Sequence, residues 1–351
     1  MERNLNNIPE GCRVAIIVLN WNGLDDTVEC LRSLEKIDYN CYKVVLVDNG
    51  SGNGEGIRLK ELFPHTHVIL NGTNRGFAGG NNDGVNWAIE NGFEYIVNLN
   101  NDCIVERDWL TGLVDGMRSS GADFASSRIM FYPQTDRICS DGDILFPDGS
   151  AMSQNRGAKY VETDGDVIRP VFSACGAGSI YSVKCLKEVK IKNNQYFDEL
   201  YFAYYEDIDL GIRLNQKKYK GVLVSNAVVY HKQSRTAGEY SWFKMFHTEK
   251  NRIMNELLNY PIYLFLPGEI FFTLKVLLFI ISPFFGDRDK RYRYIKSLKI
   301  FGVISALSKA RLWIIAHLFL ILEDRNERKR KGLISGRIIG FFCWNIMKTL
   351  R

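Results

Sequence analysis

Over its first hundred residues the chain alternates short, unbroken apolar runs with segments whose apolar positions recur every three or four residues. Val14-Ala-Ile-Ile-Val-Leu19 is the first run; Asn20-Trp-Asn-Gly23 ends it, and the next segment sets Val28, Leu31 and Leu34 on one helical face. Lys43-Val-Val-Leu-Val47, His67-Val-Ile-Leu70 and Glu94-Tyr-Ile-Val-Asn-Leu99 repeat the pattern, with helical or Gly-rich stretches between them. Strands apolar at nearly every position are buried on both faces, so the pattern predicts an α/β fold: a mostly parallel sheet flanked by helices. Ligands of such sheets bind at the carboxyl ends of the strands. Four polar segments follow the four runs: Asn20–Gly23, Asp48–Ser51, Asn71–Asn82 and Asn100–Asp102. They are expected to meet at one crevice.

Beyond about residue 120 the alternation weakens into turn-rich segments and a small-residue stretch, Ser173-Ala-Cys-Gly-Ala-Gly-Ser179. Glu206 to Tyr219 reads as a short helix, and Val222-Leu-Val224 and Val228-Val-Tyr230 as strands leading to His231. The sequence therefore divides into a catalytic-type domain over 1–255, with a ligand-binding half over 12–120 and a second half over 121–255, and a helical region over 256–351. In that last region Pro261 to Phe285 is long enough to reach across a bilayer, but Pro267, Glu269 and Lys275 interrupt it. A helix lying in the membrane plane is expected ahead of a true span, with a buried helical core as the ordinary alternative. A second apolar segment runs from Phe301 to Leu322.

Composition refines this picture. A net charge of +5 over 351 residues does not call for a nucleic-acid partner. Much of the positive charge lies in Arg288–Arg293 and Arg325–Lys331, beside the apolar segments, which suits an anionic membrane surface. The eight cysteines show no zinc-type spacing and no disulfide framework. The N-terminus lacks a secretory apolar segment, so the chemistry is expected on the cytoplasmic face of the membrane. No G-x-G-x-x-G follows the first strand, which argues against a dinucleotide-dependent oxidoreductase.

Each candidate residue has two readings. Asp48, followed by Asn49-Gly50-Ser51, either accepts hydrogen bonds from a base or ribose or closes an Asx-turn. Asn71-Gly-Thr-Asn-Arg-Gly-Phe-Ala-Gly-Gly-Asn-Asn82 reads as a ligand-binding loop, with Arg75 available to a phosphate or a base, or as a plain loop and helix cap. Asp102, beside Asn100 and Asn101, suits a hard divalent cation held with phosphate oxygens, or caps a helix starting near Arg107. Glu206 and Asp207 either complement a helix dipole or supply a general base. His231 is a structural histidine or a metal ligand.

Six motifs in order carry a resemblance: Val18-Leu-Asn-Trp-Asn-Gly23, Val47-Asp-Asn-Gly-Ser51, Asn74-Arg-Gly-Phe-Ala-Gly-Gly-Asn-Asn82, Leu99-Asn-Asn-Asp102, Tyr205-Glu-Asp-Ile-Asp-Leu-Gly-Ile-Arg213 and Val229-Tyr-His231. Over residues 12–255 the chain resembles family 2 glycosyltransferases of the GT-A fold, in particular their rhamnosyltransferase-like branch. The resemblance implies an inverting hexosyltransferase of cell-envelope polysaccharide synthesis, taking a nucleotide-sugar donor (dTDP-rhamnose first, a UDP-sugar second) and a glycan or lipid-linked acceptor. It further implies a donor site from Asn20, Asn22, Asp48, Asn49, Asn74, Arg75, Gly76, Phe77, Asn81, Asn100, Asn101 and Asp102. Mg2+ or Mn2+ would sit on Asp102 and His231, with Asp207 as catalytic base and Glu206 beside it. This chain reads Asn100-Asn101-Asp102 where the family usually has Asp-x-Asp. The alternatives are a sugar-nucleotidyltransferase, which would need a basic Gly-rich loop after the first strand, and a non-catalytic nucleotide-sugar-binding protein.

Overall fold

In the computed structural model, which describes residues 13–161, 167–233, 241–281, 288–340 and 342, the first apolar run becomes β1 (Val14–Asn20). There follow α1 (Leu24–Leu34), β2 (Tyr42–Asp48), α2 (Glu55–Leu62), β3 (His67–Leu70), α3 (Gly76–Glu90), β4 (Tyr95–Asn100), β5 (Cys103–Val105), α4 (Trp109–Ser120) and β6 (Phe124–Phe131). The second half adds β7 (Ile138–Ser140), β8 (Asp143–Leu145), β9 (Ala151–Ser153), β10 (Ile168–Pro170), β11 (Gly178–Ser182), α5 (Val183–Val189), α6 (Glu206–Gln216) and β12 (Gly221–His231). Helices α7 (Trp242–Asn259), α8 (Phe265–Ile281), α9 (Arg288–Ala316) and α10 (Leu318–Arg330) follow.

The sheet runs β10-β12-β6-β11-β4-β1-β2-β3. Val14 through Val18 have no exposed surface at all, because β1 is central and both its faces are covered. Strands β3, β2, β1 and β4 are parallel, and register pairs Asn20 with Asp48, Asp48 with Leu70 and Leu19 with Asn100. All four predicted polar segments thus leave the same edge from adjacent strands. The expected parallel sheet needs one amendment: β11 enters between β4 and β6 antiparallel to both. Its source is the small-residue stretch, whose glycine Gly178 packs against Ile129 and Val229 at the sheet centre. The two short strands expected around Val222–Tyr230 are a single strand with a register shift between Val224 and Val228.

The Gly/Asn-rich segment differs from expectation in kind. Only its first five residues form a loop; from Gly76 onward it is α3. A Cβ at Gly80 would lie 2.3 Å from the Leu19 side chain and one at Gly84 2.5 Å from Ile17. Those glycines let the helix lie against β1, and their low helix propensity is the cost of that close approach.

By contacts the described chain forms two units, the first comprising 1–144, 153–202 and 206–233, and the second 145–152, 203–205 and 234–351. In the second, Arg252 of α7 is buried among Glu249 at 3.0 Å, Glu256 at 2.9 Å and Glu269 of α8 at 2.6 Å. Lys275 pairs with Asp148. The two charges that interrupt the apolar segment are therefore both taken up within this unit, while Tyr263, Leu266, Ile270, Leu274 and Leu277 stay exposed at three- and four-residue intervals. Phe301, Ile304, Leu312, Ile315, Phe319 and Leu322 form a second exposed apolar series. Among the described residues no single helix is long and apolar enough to cross a membrane; Phe301–Ala316 and Leu318–Arg330 pass together as a pair bent by 66°. Residues 282–285 of the first apolar segment lie outside the described residues.

Candidate active site

Two hydrogen-bonded webs occupy the carboxyl edge of the sheet. In the first, the buried Asn20 side chain donates to Asp48 at 2.8 Å, Ser51 Oγ at 3.0 Å and Glu55 at 3.1 Å. Asp48 also accepts from the Ser51 amide at 3.3 Å, so it does close a turn, and its partners fix where the carboxylate stands. Gly50 has a φ of +74°, and a Cβ there would lie 2.6 Å from the Thr73 backbone; this turn and the 71–75 loop are in direct contact. Asn49 completes the contact, donating to Asn74 Oδ1 at 3.0 Å and Gly76 O at 2.9 Å while accepting from Asn71 and the Arg75 amide. Asn22 accepts from the Gly52 amide at 2.8 Å.

The second web surrounds Asp102, which lies between β4 and β5. It caps no helix, because α4 begins only at Trp109 with Asp108 as its cap. His231 of β12 pairs with Cys103 in register, which brings its Nε2 to 3.0 Å from the Asp102 carboxylate and 3.4 Å from Asn100 Nδ2. Burial opposes charge on His231, but the adjacent carboxylate outweighs it and lifts the imidazole to about 9. Burial likewise works against the Asp102 carboxylate, and His231 holds it below the ordinary aspartate range all the same.

Asp102, Cys103 and His231 offer ligand atoms all within 4.8 Å of one another. Cys103 is fully buried, donates its Sγ to Ala177 O at 3.5 Å and is kept a thiol by burial. A hard cation prefers the carboxylate oxygen and accepts only a neutral imidazole nitrogen, so Asp102 and His231, with the His231 proton released on binding, are the fitting pair and Cys103 is not.

The webs are joined. Asn101 Nδ2 donates to Thr27 Oγ1 at 2.9 Å, and Thr27 Oγ1 donates to Asn20 Oδ1 at 2.8 Å. Asn101 thus faces α1 and belongs to the framework between the two loops. Thr27 escaped sequence reasoning because a threonine in a first helical turn carries no distinctive signal.

Asp207 lies in the first turn of α6, where the dipole favours its charge. Its Oδ2 also accepts from the Gly176 amide at 3.0 Å, and its Oδ1 from the Ile208 amide at 2.8 Å. A Cβ at Gly176 would lie 3.4 Å from both Asp207 and the Phe77 ring, so the turn packs closely against both. The neighbouring Ala177 carbonyl accepts from the Asn100 amide at 3.3 Å. One turn of chain therefore bonds the strand end before Asp102 and the Asp207 carboxylate through successive residues.

Burial raises Asp207 above the ordinary aspartate range. Glu206 and Asp143 are raised as well, through burial and then the charge of Asp207. Asp143, held by Ser173 at 3.1 Å and Ser153 at 3.2 Å, was not anticipated from sequence, where it stood in a turn-rich stretch. Positive φ values at Phe202, Tyr204 and Tyr205 concentrate backbone strain immediately before Glu206.

Two expected donor residues are engaged otherwise. Arg75 pairs with Asp83 and, at 3.0 Å, with Glu199, so its charge is already compensated. Asn81 is buried between α3 and β4, donating to Phe77 O and accepting from Asn98 at 2.7 Å.

Residues 15–189 match the model of the family described as Glycosyl transferase family 2. The low-salt glycan biosynthesis hexosyltransferase Agl10 of Haloferax volcanii is 23% identical over 210 residues, covering 58% of this chain and 62% of that protein. The match thus spans less than two-thirds of the relative's length. Among solved structures, GalNAc-T7 with UDP, GalNAc and Mn2+ superposes with a TM-score of 0.56 at 13% identity, over 82% of this chain and 55% of that one. S. aureus TarS 1–349 superposes with a TM-score of 0.48 at 15% identity, over 92% and 89%. The sheet with its inserted antiparallel strand and flanking helices is the GT-A fold.

Proposed function

We propose that this chain, whose residues 15–189 are a glycosyl transferase family 2 domain, transfers a hexosyl group from a nucleotide-sugar donor to a hydroxyl of a glycan or lipid-linked acceptor, inverting the anomeric centre. The observation that carries this reading is the turn at Gly176 and Ala177, which ties Asp207 to the strand end that presents Asp102. An acid suited to a cation and an acid suited to a proton then flank one crevice.

In this reading the first web, around Asp48, receives the nucleoside, and Asn100 and Asp102 face the diphosphate. Asp102 and His231, the latter deprotonated, would hold a divalent cation, Mg2+ or Mn2+. Bound there, it would supply Lewis-acid stabilisation of the charge on the departing diphosphate. Asp207, in its carboxylate form and fixed by two backbone amides, takes the proton of the acceptor hydroxyl as that oxygen attacks the anomeric carbon. Attack from the face opposite the leaving group inverts the centre in one displacement. Glu206 lines the same end of α6. The relative's name supports a hexose as the transferred group; dTDP-rhamnose, with a UDP-sugar second, rests on the motif resemblance alone.

Residues 1–255 form the catalytic domain in this reading and 256–351 its membrane-associating region, at the cytoplasmic face. The exposed apolar series on α8 to α10, with Lys329 and Arg330 exposed after it, supports a helix lying on an anionic surface. Flotation with anionic vesicles tests that part, and full recovery in the soluble fraction without detergent contradicts it.

A panel of nucleotide sugars, including dTDP-rhamnose and UDP-hexoses, tests the activity through release of nucleoside diphosphate with Mn2+ and with chelator. Metal-stimulated release from one donor is expected. Nucleotide binding with no metal-stimulated release from any donor, with or without acceptor, would instead favour the non-catalytic binding protein.

A further inference from the structure

Two cations of the candidate site are already spent. Arg75 is neutralised by Asp83 and Glu199, and Lys232 by Asp26 at 2.6 Å and Glu29 at 2.5 Å. Arg156 is different. It is exposed, and among the described residues its guanidinium has no carboxylate partner.

Three contacts hold it at the His231 end of β12. It lies over the Phe131 ring at 5.0 Å, and Phe131 pairs with His231 in register. Its Nη1 reaches Cys139 Sγ at 3.4 Å, and its Nη2 donates to Gln233 Oε1 at 3.0 Å. The turn that carries it is also anchored. Asn155 and Gly157, on either side, have φ values of 58° and 83°, with Asn155 donating to the buried Asp141 at 2.8 Å and the Gly157 amide to Ile138 O. A guanidinium fixed in place with no carboxylate against it among the described residues is preorganised for an oxyanion.

We propose that Arg156 binds the donor's diphosphate and stabilises the charge it gains as the sugar departs. This deepens the glycosyltransferase reading and rests on it. No local pattern marks the residue, because its turn is far from every motif; the pairing of β7 with β6 and of β6 with β12 carries it to the His231 end.

Calorimetry with Mn2+ tests the proposal, comparing UDP and dTDP with uridine and thymidine on the full chain and on Arg156→Ala and Arg156→Lys. The expected result for Arg156→Ala is an about 10- to 100-fold loss of affinity for the diphosphate that the wild type binds, with nucleoside affinity unchanged. Arg156→Lys should recover part of it. Equal diphosphate affinity in wild type and Arg156→Ala would overturn the proposal, as would equal losses for nucleoside and diphosphate, which mark a structural role. A raised acceptor KM with unchanged diphosphate affinity overturns it in favour of an acceptor phosphate. Absence of diphosphate binding in the wild type would instead overturn the underlying reading.

Discussion

Asp102 and Asp207 stand near one turn of chain, yet their surroundings push them in opposite directions. Asp102 meets an imidazole at 3.0 Å and is held below the ordinary range despite burial. Asp207 meets two backbone amides, with Glu206 and Asp143 as acidic neighbours, and burial lifts it above that range. The contrast teaches which acid suits which task. A carboxylate that must stay ionised benefits from a cationic neighbour, and one that must accept a proton benefits from a raised proton affinity.

Asp207→Asn should make the largest difference, lowering kcat by about 10^2- to 10^4-fold with nucleoside diphosphate affinity unchanged. Single-turnover assays check this, and normal turnover would remove Asp207 from its role. Asp102→Asn should weaken the metal dependence of diphosphate binding by roughly 10- to 100-fold, read from Mn2+ titration. A smaller effect is expected in the pH profile. Only ionised Asp207 accepts a proton, so kcat falls as pH drops through its pKa. Because burial raises that pKa, the acid limb should lie above the ordinary aspartate range. A limb at or below that range would break the contrast. Smallest of all, Thr27→Val breaks the link from Asn101 to Asn20 and should raise the donor KM roughly fivefold with little change in kcat.

The sequence made the fold legible where burial is complete. Val14–Leu19 and Lys43–Val47 are apolar at nearly every position because neither face of those strands meets water, and the polar residues that end them mark the crevice. Asp48, Asp102, Asp207 and His231 were visible for the same reason, each standing at the end or start of an element. Glycine was misleading in α3, where it serves close packing on β1 and local propensity reads it as loop. Strand β11 was hidden because Gly178 and Ser179 at the sheet centre leave space for neighbours rather than fill it. Thr27, Asp143 and Gly176 have roles that exist only after long-range pairing, so no local pattern announces them. Arg75 illustrates the converse: its charge was legible, and its two carboxylate partners were not.

The most direct test of the two-acid account is calorimetry of UDP and dTDP, each with and without Mn2+, on Asp102→Asn and Asp207→Asn side by side with the wild type. The account predicts that Asp207→Asn keeps the full metal-dependent affinity and that Asp102→Asn loses its metal-dependent part. Loss of that part in Asp207→Asn, or its retention in Asp102→Asn, would contradict it.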